Sequence, residues 1–287
     1  MTRTRRNEGA WAESFHEGTD NPRTSNESGR QSSPYGRRRL FCAARVVNED
    51  MDPISLYQFE LCPYCHKVKA AMDTKGLPYR KIEVNPYTKK ELPELAEGTL
   101  RKVPVVQYNG DTVQDSTTIL AHLEEHFPDR TPLLPKDATQ RAKAHEIEAW
   151  VDDDLTHVLP TVIYGTWGEA VKAAQVTART SNFGPLHNLM VRAGGSLIMH
   201  QIAKRIVKKR GGGDPHAMLA AELDKLETWL GENDFVCGTE VSLGDVAAHG
   251  ALTCIKEFPA FDRVTERPRL AAWYDRVQAV RDANRAR

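Results

Sequence analysis

The feature that most constrains this chain is Cys62-Pro63-Tyr64-Cys65, which lies between a short β-rich run, 54–59, and a helical pattern that ends at Gly76. Pro63 suits the first turn of a helix, where its missing N–H is no loss. Unpaired N–H groups and the helix dipole at that position favour an anion. We therefore predict that Cys62 is an attacking thiolate with a lowered pKa. Cys65, one turn later, could resolve a mixed disulfide.

Zinc sites use the same Cys-x-x-Cys spacing, but zinc needs two further ligands. The other cysteines, Cys42, Cys237 and Cys254, are not similarly paired, and His66 is the one extra ligand nearby. We therefore predict no metal at this pair. His66, four residues after Cys62, could either stabilise the thiolate or simply be exposed.

The number of cysteines also bears on the cellular setting. Five in a chain of 287 residues is too few and too widely spread for a disulfide framework. This favours a reducing, cytoplasmic location. Basic and acidic residues number 39 each, so no overall charge attracts nucleic acid or an anionic membrane. No run of 18 apolar residues occurs, so we expect no transmembrane segment.

The elements around the cysteine pair follow a recognisable order. A strand is predicted over 79–84, a helix interrupted by Pro93 over 88–96, and two strands on either side of Asn109-Gly110, which is a strong hairpin signal. A helix over 116–127 follows. The predicted order β-α-β-α-β-β-α is that of a thioredoxin-like domain.

The remainder of the chain is predicted to be helical. A proline-punctuated linker covers 128–137, and helical periods dominate beyond it, most clearly in a stripe of leucines at helical spacing: Leu219, Leu223, Leu226 and Leu230. The fold class is α/β plus all-α. We expect a disordered tail over 1–52, which could also be an over-long start, a thioredoxin-like domain over 53–127, the linker, and a helical domain over 138–285.

Two dipeptides downstream of the cysteine pair could hold a ligand. Val103-Pro104 begins a strand, and Asp115-Ser116 opens a helix. A helix N-terminus binds a carboxylate well, and Asp115 could accept from an ammonium group. The simpler interpretations are an ordinary strand-initiating proline and a plain helix cap.

Together with the cysteine motif, these dipeptides resemble glutaredoxins and the N-terminal domain of glutathione transferases. The helical second domain is typical of the transferases, and Ser242-Leu243-Gly244-Asp245 resembles their helix-capping box. A closer resemblance is to the membrane-associated prostaglandin E synthase type 2 branch. It is carried by segments such as Leu77-Pro78-Tyr79, Lys102-Val103-Pro104 and Trp150-x-Asp152-Asp153.

The resemblance implies that Pro104 is cis and that glutathione, or a related small thiol, is the cosubstrate. It implies Cys62 and Cys65 as catalytic residues and these glutathione contacts: Tyr64, Val103, Pro104, Asp115 and Ser116. The implied partners are this thiol, a disulfide or electrophilic substrate, and a second copy of the chain in a homodimer. Haem binding is also known in the branch. Phe59 stands where the branch has a tyrosine close to the reactive thiol.

Three functions therefore stay open: a glutathione-dependent thiol-disulfide oxidoreductase or transferase, a prostaglandin E synthase type 2-like isomerase, and a non-catalytic glutathione or haem binder.

Elsewhere, Asp152, Asp153 and Asp154 are predicted to lie mostly on a solvated helix face, although Asp152 and His157 could border a substrate pocket.

Overall fold

The structure is a computed structural model that describes residues 53–86, 88–180, 196–209 and 212–286. The tail predicted for 1–52 lies outside these residues. Elements are numbered below in chain order within the described ranges.

A four-stranded sheet forms the N-terminal part of the molecule. Its strands are β1 (Ile54–Gln58), β2 (Tyr79–Glu83), β3 (Val105–Tyr108) and β4 (Asp111–Gln114). The strand order is β2-β1-β3-β4, with β2 parallel to β1 and the other two pairs antiparallel. Asn109 and Gly110 both have positive φ, 49° and 85°, as the predicted two-residue hairpin turn requires.

Helix α1 (Pro63–Lys75) connects β1 to β2 and is buried along nearly its whole length. Cys62 is its N-cap and Pro63 stands in its first turn, while Gly76 ends it with a φ of 65°. The helix that was predicted over 88–96 does not form: turns and irregular backbone occupy this stretch. Pro93 lacks a donor for a helical hydrogen bond, and Lys89 has a φ of 50°, which an α-helix does not allow.

The remaining structure is helical. After α2 (Ser116–His126) come α3 (Ala138–Trp150), a π-helical turn (Val151–Leu155), α4 (Thr156–Ile163), α5 (Trp167–Thr180), α6 (Ser196–Lys209), α7 (Pro215–Leu230), α8 (Leu243–Thr253), a 3₁₀ turn (Pro259–Phe261), α9 (Asp262–Thr265) and α10 (Pro268–Arg285). All four leucines of the predicted stripe on α7 are buried.

Helix α8 is the centre of the helical part, because it packs against α1, α3 and α10. Its predicted cap is present: Asp245 accepts hydrogen bonds from the backbone N–H of Ser242 (2.9 Å) and of Val236 (2.8 Å). The indole of Trp273 on α10 donates to the same carboxylate over 2.8 Å. The predicted fold class, a thioredoxin-like sheet domain followed by a mostly helical one, is confirmed; the bounds drawn between the domains stay a prediction.

Candidate functional site

The register of the sheet brings the predicted site segments to one edge. Tyr57, near the end of β1, pairs with Val105, and Val105 pairs with Gln114 at the end of β4. Three segments therefore meet at the same edge of the sheet: the one that follows β1, the one that precedes β3 and the one that follows β4. These segments contain the cysteine pair, Val103-Pro104 and Asp115-Ser116, in that order.

Cys62 lies half-buried at the N-terminus of α1. Its Sγ accepts from the backbone N–H of Cys65 over 3.4 Å. The pKa of Cys62 is lowered, chiefly because the Cys65 thiol donates to it; burial opposes this, and backbone N–H groups of Cys65 and Tyr64 and the charge of Lys69 add to the lowering. Cys62 is thus the sulfur that is better suited to act as a thiolate.

Cys65 has the opposite character. It is fully buried, and burial together with the neighbouring Cys62 raises its pKa well above the ordinary value for a thiol. It therefore acts as a hydrogen-bond donor toward Cys62 at neutral pH. The two sulfurs of the motif differ in both exposure and acidity.

The environment of His66 corrects the expectations for this residue. It is neither exposed nor a cation beside the thiolate: its side chain is buried, and its Nε2 lies 2.8 Å from the Glu60 carbonyl oxygen. Burial and the charge of Lys69 lower the pKa of His66 to about 3, although Glu60 opposes this. A cation that does lower the pKa of Cys62 is Lys69, whose ammonium lies 3.3 Å from the Glu60 carboxylate.

Val103 and Pro104 are joined by a cis peptide bond, as the sequence resemblance implied. Val103 packs against an apolar cluster that contains Val84, Leu92 and Val105. An open groove of about 230 Å³ adjoins it. The groove is lined by apolar side chains and three cations: Phe59, Val84, Pro86, Lys89, Leu92, Arg101, Lys102 and Val103. Positive charge therefore borders the sheet edge near the cysteine motif.

Asp115 and Ser116 occupy the turn from β4 into α2. Asp115 is the exposed N-cap with a φ of 79°, and its carboxylate accepts from the Thr118 N–H over 3.0 Å. Ser116, the first helical residue, is buried. The capping role that the sequence suggests is thus present, and it leaves Asp115 exposed at the same edge as Cys62.

Tyr64, the residue between the two cysteines, reaches the helical part of the molecule. Its hydroxyl donates to the Asp152 carbonyl oxygen (3.4 Å) and accepts from the Thr156 hydroxyl (3.0 Å). Burial raises its pKa. The cysteine loop is therefore anchored to the π-helical turn and to the first residue of α4.

A buried polar cluster next to this anchor was not predicted from the sequence. The ammonium of Lys67 is inaccessible to solvent and donates to Glu148, to Asp152 and to the hydroxyl of Thr117. The Thr117 hydroxyl in turn lies 2.6 Å from the Glu148 carboxylate and 3.0 Å from the Asp152 carboxylate, and its one hydrogen is shared between them. Asp152 therefore lies outside the solvated face that was predicted for most of the run 152–154, whereas its neighbour Asp153 is exposed.

Comparison with known protein families indicates the class of protein. The family model for the glutathione S-transferase N-terminal domain matches residues 56–131, and the family model for the C-terminal domain matches residues 217–280. These matches agree with the thioredoxin-like sheet, the cis proline and the helical second part. The chain therefore carries both domain types of the glutathione S-transferase family.

Within that class, the chain is similar to prostaglandin E synthase 2. It is 28% identical to the Danio rerio protein over 78% of this chain and 70% of that protein, and 27% identical to the Mus musculus protein over 84% and 74%. Protein LigF of Sphingobium is 25% identical over 79% of this chain and 90% of its own length.

Solved structures share the fold. Glutathione S-transferase III in its apo form superimposes with a TM-score of 0.56 at 21% identity, covering 82% of this chain and 96% of that one. The β-etherase LigF from Sphingobium superimposes with a TM-score of 0.54 at 23% identity, covering 81% and 98%. In the described part of the chain, no helix has the length and apolarity needed to cross a membrane.

Proposed function

We propose that this protein is a glutathione-dependent thiol enzyme, a transferase or thiol-disulfide oxidoreductase that uses Cys62 as its nucleophile. The observation that carries the proposal is the position of the Cys62 sulfur at the start of α1, where a thiol and two backbone N–H groups lower its pKa. A thiolate is the reactive form of cysteine, so this environment favours reaction at neutral pH.

The reaction with a disulfide has two balanced steps. The Cys62 thiolate attacks one sulfur of the substrate, so that a Cys62–sulfur bond forms, the substrate S–S bond breaks, and one half leaves as a thiolate. Glutathione thiolate then attacks the mixed disulfide, which releases a glutathionyl disulfide and regenerates Cys62. With an electrophilic carbon substrate, glutathione would instead form a thioether.

Glutathione has features that the same sheet edge could recognise. We assign its γ-glutamyl end to Asp115 and Ser116, since an exposed carboxylate there can accept from an ammonium group. Its cysteinyl part would lie along the backbone at Val103-Pro104, close to Tyr64. Its far carboxylate would then face the basic groove, where Lys89, Arg101 and Lys102 supply opposite charge.

The burial of Cys65 favours glutathione over Cys65 as the resolving thiol. A buried thiol with a raised pKa is a poor nucleophile at neutral pH. Its contribution would be to hold the Cys62 thiolate through a hydrogen bond. The monothiol route therefore accounts better for the different environments of the two sulfurs.

Turnover of bis(2-hydroxyethyl) disulfide by glutathione tests this proposal. We expect activity in the parent chain, its loss in Cys62→Ser, and its retention within about threefold in Cys65→Ser, because a serine hydroxyl can still donate to Cys62. Equal activity in the parent and in Cys62→Ser would overturn the proposal.

A prostaglandin E synthase 2-like isomerase is the second candidate, favoured by the likeness to the fish and mouse proteins. Conversion of a prostaglandin endoperoxide in the presence of glutathione tests it. We expect little activity because Phe59 has no hydroxyl to offer the thiol, and Phe59→Tyr is the variant in which activity should rise. Haem binding is the third candidate: Cys62 is the residue whose sulfur would hold the haem, because the Nε2 of His66 is engaged by the Glu60 carbonyl oxygen, and a Soret band on adding haem tests it.

A further inference from the structure

A group of metal-ligating side chains lies away from the cysteine motif, where α2 meets the β3–β4 hairpin. His122 and His126 are one turn apart on the same face of α2, and Asp111 begins β4. One ligand atom from each of the three lies within 4.8 Å of the other two. The histidine rings stack, with their centres 3.8 Å apart.

The hydrogen bonding of the two histidines leaves ring nitrogens available. The Nδ1 of His126 lies 3.0 Å from the His122 carbonyl oxygen, which can only accept, so Nδ1 carries the proton. The Nε2 of His126 is then the nitrogen with the lone pair. The Nε2 of His122 is enclosed and has no hydrogen-bond partner among the described residues. A backbone carbonyl that fixes the tautomer of a ligating histidine is common at metal sites.

We propose that Asp111, His122 and His126 form a binding site for a divalent metal ion of the zinc type. Imidazole nitrogen and carboxylate oxygen are ligands that zinc accepts at about 2.0 to 2.2 Å, which places ligand atoms about 3.4 Å apart in a tetrahedron. The three ligand atoms therefore need to close in by at most about 1.4 Å. Asp111 and His126 are exposed, so their side chains can rotate to do so.

A metal held there would link the first residue of β4 to the last turns of α2. The turn between them carries Asp115 and Ser116, so the ion would brace the connection from both ends. It would not involve Cys62, and the site is therefore independent of the function proposed above.

Calorimetric titration of the full, tag-free chain with Zn²⁺ tests the site. The chain carries Cys62→Ser and Cys65→Ser so that thiolates do not compete for the metal. We expect one ion per chain, and affinity lowered at least about tenfold by His126→Gln and by Asp111→Asn, because each removes a ligand. His216→Gln, which changes a histidine of α7 outside the group, should alter affinity less than about twofold.

Two further measurements keep the test decisive. Both Asp111 and His126 are exposed, so their variants should keep the parent circular dichroism spectrum, which separates lost ligation from lost folding. The imidazole nitrogen NMR signals of His122 and His126 should shift on addition of Zn²⁺. Absence of saturable binding, or equal affinity in the parent and in the Asp111→Asn, His126→Gln double variant, would overturn the proposal.

Discussion

The ammonium of Lys67 on α1 lies 2.9 Å from both carboxylate oxygens of Asp152 in the π-helical turn. This buried contact joins the thioredoxin-like part to the helical part directly beside the anchor of the cysteine loop. Two carboxylates, of Asp152 and Glu148, share the single cation. Their charges raise the pKa of Lys67 against the effect of burial, so the lysine stays charged.

Removing that cation should destabilise the protein strongly. Lys67→Met leaves two buried carboxylates without a counter-charge, and we expect a loss of about 3 to 5 kcal/mol in the free energy of unfolding. Arg269→Met, which breaks an exposed ion pair with Glu232, should cost less than about 1 kcal/mol. Urea unfolding measures both, and equal losses in the two variants would contradict the structural role of Lys67.

The contact between α1 and α8 depends on the absence of a side chain at Gly250. A Cβ atom at this position would lie 2.7 Å from the His66 carbonyl oxygen and from the Cα of Lys67. Gly250→Ala should therefore push the helices apart and cost about 1 to 3 kcal/mol or more. The control is Gly168→Ala on α5, where the atom nearest to the added Cβ is 4.0 Å away. This substitution should be neutral or stabilise the protein by up to about 1 kcal/mol. Thermal unfolding of both variants provides the comparison.

The sequence predicted the features that depend on local chemistry. The structure confirms three of them: the hairpin at Asn109-Gly110, the end of α1 at Gly76, and the buried leucine stripe. The first two follow from backbone preferences and the third from the spacing of apolar residues. The prediction of a helix over 88–96 was wrong. The composition there is charged and favours a helix, but Pro93 and the left-handed backbone at Lys89 are incompatible with one.

The buried cluster could not be predicted, because it depends on tertiary contacts. A lysine in a helix usually lies on a solvated face, whereas the ammonium of Lys67 is enclosed by residues of α2, α3 and the π-helical turn. The absence of a side chain at Gly250 also lets α8 approach the backbone of that turn of α1. Likewise, most of the run of three adjacent carboxylates was placed on a solvated face, and Asp152 was expected at most to border a substrate pocket, not to bind a buried lysine. The buried polar surroundings of Asp152 are formed by residues on α1, α2 and α3, most of which are distant from it in sequence.

The acidity of Cys62 should depend on the donor at position 65. Cys65→Ala removes the side-chain hydrogen bond that contributes most to the lowered pKa, so the pKa of Cys62 should rise; Cys65→Ser keeps a donor and should keep the pKa low. The pH dependence of alkylation by iodoacetamide, located on Cys62 by peptide mapping, measures this. Identical pH profiles for the alanine and serine variants would exclude the hydrogen bond as the cause.

Stability should fall in mild acid because of two buried histidines. Burial lowers the pKa of His66 to about 3 and that of His249 well below its usual value, so the folded protein keeps both neutral while the unfolded chain binds protons below about pH 6.5. The unfolded state then binds more protons, and stability decreases as pH falls through this range by about 1.4 kcal/mol per pH unit for each histidine.

Urea unfolding between pH 7 and pH 5 measures that slope. In His66→Gln, which keeps a side-chain donor for the Glu60 carbonyl but cannot titrate, the slope should be smaller than that of the parent by up to about 1.4 kcal/mol per pH unit. A parent slope that the substitution leaves unchanged would show that His66 does not contribute to the acid sensitivity.

Cys62 is proposed to be the reactive thiol that accepts glutathione. Incubation with glutathione disulfide, followed by intact-mass measurement and peptide mapping, tests this most directly, because mapping separates Cys62 from the other cysteines. We predict one glutathione adduct on Cys62 in Cys65→Ser and no adduct on Cys65 in Cys62→Ser. An adduct on Cys65 in Cys62→Ser, or an unmodified Cys62 in Cys65→Ser, would show that Cys62 is not the thiol that accepts glutathione.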